Sequence, residues 1–239
     1  MNIILLENGE TTLSPRDPRA VHLVKVLRKT AGESFCAGII GGRRGRGVIT
    51  AINAGGITLE LNLDETPPPR LPIEILLGFP RPIQLRRILA TLSSAGVAAI
   101  SLFASELGEK SYRSTTLLHD GGAQAALLDG AIQARDTSIP ALSFYTSLSA
   151  ALAVPRPGGL FTAAADNVAA QGIFAIPRAG GYVIAIGSER GWSDNERALL
   201  GSNGFPLLSL GSRALRTETA AATAAVITAL AYERGGLQG

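Results

Sequence analysis

The sequence predicts two joined regions, a small β-barrel-like module followed by an α/β domain with a parallel sheet. Three observations predict it. Short apolar or alternating runs, separated by glycine-rich turns, fill the chain up to Glu65. A proline stretch, "TPPPRLP" (Thr66–Pro72), then interrupts any regular element, because consecutive prolines favour extended polyproline geometry. Beyond it, strand-like runs alternate with runs of helical period, the pattern of a parallel α/β sheet. On this reading the first domain spans residues 1–70 and the second 71–239.

The elements follow in order. "NIILL", "ESFCAGII", "RGVITAIN" and "GITLELNL" read as strands, with "GGRRGRG" and "NAGG" as turns and one short helix around "AVHLVKVLR". After the prolines, "IEILLGF" reads as a strand. Pro82 then opens a helix with Leu85, Ile88, Leu89 and Leu92 on one face. "VAAISLF", "ALSFY", "GGLFTAA" and "GYVIAI" read as further strands, with a helix over Gly122–Arg135. Ser193 and Glu196 form a capping box for "DNERALLG", and Thr217 caps the alanine-rich last helix. Two apolar strands near the end, "YVIAI" and "PLLSL", stop at glycine-punctuated loops that lead into helices. Such loops bring bare backbone close to a small molecule, although ordinary strand-to-helix turns share the pattern.

Composition narrows the function classes. With 239 residues, 46% of them hydrophobic, the chain can build a sizeable core and is not a disordered segment. No apolar run is long enough to span a bilayer. Met1–Glu10 has no basic flank before "IILL", which reads as a first strand rather than a signal peptide, so a cytoplasmic protein with no membrane partner is expected. A single cysteine excludes an internal disulfide framework and a multi-cysteine zinc site; Cys36, in an apolar run, reads as an inert core residue. Net charge is only +3, but Arg16–Arg46 holds eight Lys or Arg against Asp17 and Glu33. A solvated basic face and a phosphate-contacting surface both fit that cluster.

Most chemistry-bearing motifs are absent. There is no phosphate-loop lysine motif, no H-E-x-x-H and no G-x-S-x-G elbow. "GGRRGRG" lies in the β-rich half with no helix behind it, so it is not a dinucleotide fingerprint. His22 and His119 are the only histidines and lie far apart in sequence, which argues against a histidine triad or metal cluster. The residues that remain are Gly187, Glu189, Gly191, Gly211, Arg213, Arg216 and Glu218, all in or beside the two late glycine loops.

Six segments carry a resemblance. "HLVKVLRKTAGE", "LRRILATLSSAGV", "EKSYRS", "QARDTSIP", "AIGSERGWSDNE" and "LSLGSRALRTETA" occur in the order seen in RsmE-type 16S rRNA (uracil-N3)-methyltransferases of the SPOUT superfamily. The resemblance covers nearly the whole chain. It implies a PUA-like β-barrel that binds RNA, then an α/β domain whose end is tied in a deep trefoil knot. It also implies S-adenosyl-L-methionine held by the knot loops, a homodimer, 16S rRNA or the assembled small ribosomal subunit as partner, and no metal.

Under that resemblance the two loops wall a cofactor pocket made by Ile186, Gly187, Glu189, Gly191, Leu208, Leu210, Gly211 and Leu215. Methylating a uracil imide nitrogen requires a proton acceptor and a group facing the negative charge on the base. Glu189 or Glu218 would accept the proton, and Arg216, Arg213 or Arg28 would face the anionic base or its phosphate. Glu218 also suits a helix first turn, and the two late arginines also suit a dimer interface. The basic track for RNA comprises Arg19, His22, Lys25, Arg28, Arg43, Arg44 and Arg46, extended by Arg86 with Arg81 and Arg87 beside it, which also suit a solvated helix face.

Two positions depart from the family pattern. Ser188 stands where the loop usually has proline, and Ile132 stands where a glutamate usually precedes Gln133. They motivate an alternative, a non-catalytic RNA-binding or ribosome-assembly relative that keeps the fold. A nicotinamide-dependent oxidoreductase would need a G-x-G-x-x-G after an early strand, which the sequence lacks.

Overall fold

The computed structural model describes residues 2–172 and 176–236. Two compact units emerge, Met1–Pro69 with Ala131–Ile139, and Arg70–Gly130 with Pro140–Gly239.

The first unit is built on β1 (Ile4–Leu6), β2 (Thr12–Leu13), β3 (Ser34–Ile39), β4 (Arg44–Asn53) and β5 (Gly56–Glu65). They form one sheet in the order β1-β3-β4-β5-β2, with β1 and β3 parallel and the other pairs antiparallel. Register shifts between Arg44 and Arg46 and between Ile49 and Ala51 bend the long β4. Alternation along the strands turns Phe35, Ala37, Ile49, Ile57 and Leu59 into a shared core with Leu6, Leu13 and Leu23. Cys36 lies on the opposite face, exposed and paired in register with Arg46, so it is not the core residue its apolar neighbours suggest. Gly47 shows what the "GGRRGRG" glycines do. A Cβ there would stand 2.5 Å from the Phe35 ring, so the absence of a side chain lets that ring lie flat on the strand.

The helical run between β2 and β3 starts as α1 (Pro18–Val21), with Asp17 as N-cap and Pro18 in the first turn. It continues as a π-helical turn over His22–Val26 that buries Leu23 and leaves Val26 exposed. Ala131–Ile139 joins this unit through main-chain groups. The Asn2 amide donates to the Gln133 carbonyl at 2.8 Å, Arg44 to the Arg135 carbonyl at 2.8 Å, and the Gly41 N–H to the Thr137 carbonyl at 2.7 Å.

The second unit holds β6 (Leu71–Gly78), β7 (Val97–Phe103), β8 (Ala141–Tyr145), β9 (Leu160–Ala165), β10 (Gly181–Ile186) and β11 (Leu207–Leu208). All neighbours are parallel, in the order β11-β9-β10-β6-β7-β8. Its helices are α2 (Pro82–Ser94), α3 (Thr116–His119), α4 (Gly122–Ala134), α5 (Leu148–Leu152), α6 (Asp194–Ser202) and α7 (Thr217–Gly236), with a 3₁₀ turn over Lys110–Ser114. Every residue of β10 is buried, as a central parallel strand covered on both faces requires.

The stripe Leu85, Ile88, Leu89, Leu92 is the buried face of α2, and α7 packs against α2, β6 and β10. The opposite layer gathers Phe103, Trp192, Leu200 and Phe205. Trp192 stacks on Phe103 at 5.9 Å and donates from its ring nitrogen to the Ala165 carbonyl at 2.9 Å. That bond pins the loop after β10 to the end of β9. The capping box of Ser193 and Glu196 is present at α6, with both reciprocal bonds made.

Candidate active site

In the second unit, beyond the carboxyl ends of β9 and β10, lies a cleft of about 670 Å³. Ligands of open parallel sheets bind at this end of the strands, in pockets of this size. Ala165–Asn167 form one wall, Ile186–Trp192 the second, and Leu210–Thr217 the third, with Arg81, Gln84, Arg197 and Ala220 completing it.

The two glycine loops shape it by different means. After β10 the chain turns back on itself, the Gly191 N–H donating to the Ser188 carbonyl at 2.9 Å with Gly191 at φ +71°. A Cβ on Gly187 would stand 3.0 Å from the Gly191 carbonyl carbon, so the two arms of this turn meet backbone to backbone. In the second loop Gly211 sits at φ +134°, a conformation that side-chain-bearing residues rarely adopt. The Ser209 hydroxyl clamps it, donating to the Gly211 carbonyl at 2.8 Å.

Charge and polarity are distributed around the rim. Glu189 is exposed, and its carboxylate accepts the Arg81 N–H at 2.8 Å, at the N-terminal end of α2 where negative charge is favoured. Asp166 is buried, held by Arg197 Nε at 2.7 Å and accepting the Val168 N–H at 3.1 Å. Arg213 and Arg216 are exposed on the third wall. Two buried polar atoms of the lining, Ser188 Oγ and Gln84 Oε1, have no hydrogen-bond partner among the described residues. Buried groups left in this state mark places where a ligand or solvent completes the bonding.

The cleft gathers most of the residues the sequence singled out: Ile186, Gly187, Glu189, Gly191, Leu210, Gly211, Leu215, Arg213 and Arg216. Two do not belong to its lining. Leu208 points into the core at 5% exposure, because its strand position pairs with Ala165 and alternation turns the side chain inward. Glu218 is half-buried on the first turn of α7, outside the lining, with Oε2 unpartnered. Gln84, Asp166, Asn167, Trp192 and Arg197 are lining residues that sequence reasoning missed, and Arg81, which the sequence offered only to the basic track, lines the cleft as well. Asp166-Asn167 follows an apolar strand directly, a signal of the same kind as the glycine loops but without glycine to mark it.

The basic cluster of the first unit divides. Arg19 is corrected from RNA contact to structural anchor. It donates to Glu10 at 2.7 and 2.8 Å, to Asp17 at 2.7 and 3.0 Å, and to the Leu5 carbonyl at 2.9 Å, which spends its donors. His22 is half-buried, and burial lowers its pKa and so disfavours its charged form. Arg44 is tied to Glu65 at 3.2 Å and to the Arg135 carbonyl at 2.8 Å, and Arg46 donates to Ser34 at 2.8 Å. Lys25, Arg28 and Arg43 are exposed and free of ion pairs among the described residues. In the second unit Arg86 makes an exposed pair with Asp129 at 3.2 Å.

The family model of an RNA methyltransferase domain matches residues 67–229, and that of an RNA methyltransferase PUA domain matches residues 16–62. A Treponema pallidum protein named ribosomal RNA small subunit methyltransferase E is 37% identical, the match covering 97% of this chain and 92% of that one. A Borreliella burgdorferi protein, ribosomal RNA small subunit methyltransferase E 1, is 28% identical over 96% and 98% of the two chains. The fold is shared with the crystal structure of a ribosomal RNA small subunit methyltransferase E from Neisseria gonorrhoeae bound to S-adenosyl methionine, at a TM-score of 0.75, 20% identity and coverage of 97% and 98%. With the cleft at its strand ends and a matched PUA region before it, this chain belongs to the RNA methyltransferase family that includes the small-subunit ribosomal RNA methyltransferases E.

Proposed function

We propose that the chain is an S-adenosyl-L-methionine-dependent methyltransferase that methylates the imide nitrogen, N3, of a uridine in 16S rRNA. The observation that carries this reading is the cleft itself, a small-molecule-sized pocket whose walls are glycine backbone and whose lining holds unpartnered buried polar atoms. The residues present fit such a donor. Gly187, Gly191 and Gly211 offer main-chain amides and carbonyls, Leu210 and Leu215 an apolar surface for a purine, and Arg213 and Arg216 guanidinium groups suited to a carboxylate. When bound, the donor supplies a sulfonium-activated methyl group, whose transfer to N3 leaves a neutral thioether and releases the N3 proton.

The protein's own part is to hold the acceptor in line, take that proton and face the charge that forms. Glu189 is the proton acceptor in this reading. One oxygen is held by the Arg81 N–H, which fixes its direction and leaves the other without a hydrogen-bond partner among the described residues. Arg216 faces the anionic base. A homodimer and a trefoil knot of the C-terminal segment belong to the same proposal, supported by the family match.

The test is transfer of a labelled methyl group to small-subunit rRNA, followed by digestion and separation of the nucleosides. Label in N3-methyluridine, abolished in Glu189→Gln with donor affinity nearly intact, is the expected result. Label in another nucleoside, or turnover retained in the variant, rejects the corresponding part.

A further inference from the structure

A second cleft of about 550 Å³ lies beside the first, bounded by Leu107–Glu109, Ser111 and Tyr112. The two share Arg81, Ser188, Glu189 and Arg190, so the chain stretch 188–190 lines both. Ser188 is 5% exposed, and its buried Oγ has no partner among the described residues. Glu189 likewise lines both clefts while its carboxylate is fixed by the Arg81 N–H. Donor and acceptor of a methyl group must meet directly and in line, so their seats must adjoin, and two clefts that share Arg81 and the stretch 188–190 of their rims do adjoin.

We propose that this second cleft seats the acceptor pyrimidine of the RNA, with Tyr112 and Arg81 at its polar end and Leu107 against the ring. The inference rests on the reading that the first cleft holds the methyl donor.

The chemistry of the lining favours a base over an apolar ligand. Arg81 Nε donates to the Tyr112 hydroxyl at 3.3 Å, a loose bond that leaves the phenol able to donate to a carbonyl oxygen of a pyrimidine. The guanidinium beside it suits the negative charge that spreads onto that oxygen when N3 loses its proton. Among the side chains shared with the first cleft, Arg190 pairs with Glu109 at 3.2 Å, both of them well exposed. An exposed pair of this kind adds little to stability and exchanges readily for another anion. A nucleotide phosphate is such an anion, and it would release Glu109.

The loop that carries Leu107 is held rigidly enough to define a seat. The Glu106 N–H donates to Glu196 at 3.0 Å, and the Ser193 hydroxyl donates to the Glu106 carboxylate at 2.5 Å. Since Glu196 also closes the α6 capping box, the acceptor loop and the loop after β10 are fastened to the same helix end.

The test fills the seat without touching the first cleft. Leu107 is 37% exposed on a loop, so Leu107→Trp adds bulk at little risk to the core, and its melting curve verifies folding. Donor affinity is measured by calorimetry, RNA affinity by fluorescence anisotropy with a small-subunit rRNA fragment, and turnover by labelled methyl transfer. Donor affinity unchanged within about 2-fold, RNA affinity within about 3-fold because backbone contacts dominate it, and turnover down about 100-fold or more support the proposal. Tyr112→Phe, which removes one hydroxyl, is expected to lower kcat/KM about 10-fold with donor affinity intact.

Unchanged turnover in both variants overturns the proposal, and so does a 10-fold loss of donor affinity in Leu107→Trp, which would assign the cleft to the donor. Failure of the underlying reading looks different: the unaltered protein would bind no donor, and the proposal would fall with it.

Discussion

Replacing Gly78 with alanine tests how the cleft wall is built. Gly78 ends β6, and a Cβ there would stand 2.7 Å from the Ser188 main-chain nitrogen and 3.2 Å from the Gly187 carbonyl carbon. Both are backbone atoms of the loop after β10, which lines the first cleft, so no side-chain rotation relieves the contact. Overpacking of this kind costs about 1–3 kcal/mol. In a chain of this length that corresponds to a fall in melting temperature of roughly 3–10 °C. What relief there is comes from moving Ser188 outward, which opens the turn over Gly187–Gly191. Donor affinity should therefore fall about 10-fold or more, the equivalent of one lost hydrogen-bond set. Gly201 is the control. It lies exposed in α6 with open space around the added carbon, so Gly201→Ala should match or slightly exceed the parent in stability, by up to about 1 kcal/mol. Thermal denaturation and calorimetric titration read both quantities. Gly78→Ala melting and binding like Gly201→Ala would refute the steric argument.

Two further predictions concern the first unit. The Arg19 guanidinium holds the carboxyls of Glu10 and Asp17 below their ordinary values, so this stabilisation is complete above about pH 5 and is lost as pH falls through the lowered values. Arg19→Met should cost about 2 kcal/mol at pH 7, the difference from the parent should shrink steadily as pH falls below about 5 in thermal melts, and a constant difference would contradict the assignment. Lys25, Arg28 and Arg43 are exposed cations of the predicted basic track without ion pairs among the described residues, so changing all three to glutamine should reduce the salt slope of RNA binding by about 2, and an unchanged slope would exclude them as phosphate contacts.

Legibility differed by kind of interaction. Features set by local spacing were readable: the α2 stripe from Leu85 to Leu92, the Ser193–Glu196 capping box, and the run of β10. Gly187, Gly191 and Gly211 were readable as a pair of loops because each loop stops an apolar strand just before a helix, a pattern that ordinary turns share and that the resemblance singled out. What escaped depends on partners distant in sequence. Arg19 reads as one more basic residue until Glu10 and Asp17 fold around it. Ala131–Ile139 joins the first unit through backbone carbonyls, which leave no trace in side-chain pattern. Cys36 misled because a run of apolar letters hides the two-residue alternation of a strand. As lining residues Arg81 and Asp166 escaped because each gains its place only when the ends of β6, β9 and β10 converge.

The most direct measurement is a calorimetric titration of the purified protein with S-adenosyl-L-methionine, with NAD titrated in parallel. The account predicts saturable binding of the methyl donor, none of NAD, and loss of donor binding in Gly211→Val, where a branched side chain strains the backbone at φ +134° and displaces the loop. Donor binding that survives Gly211→Val, or no donor binding by the unaltered protein, would contradict it.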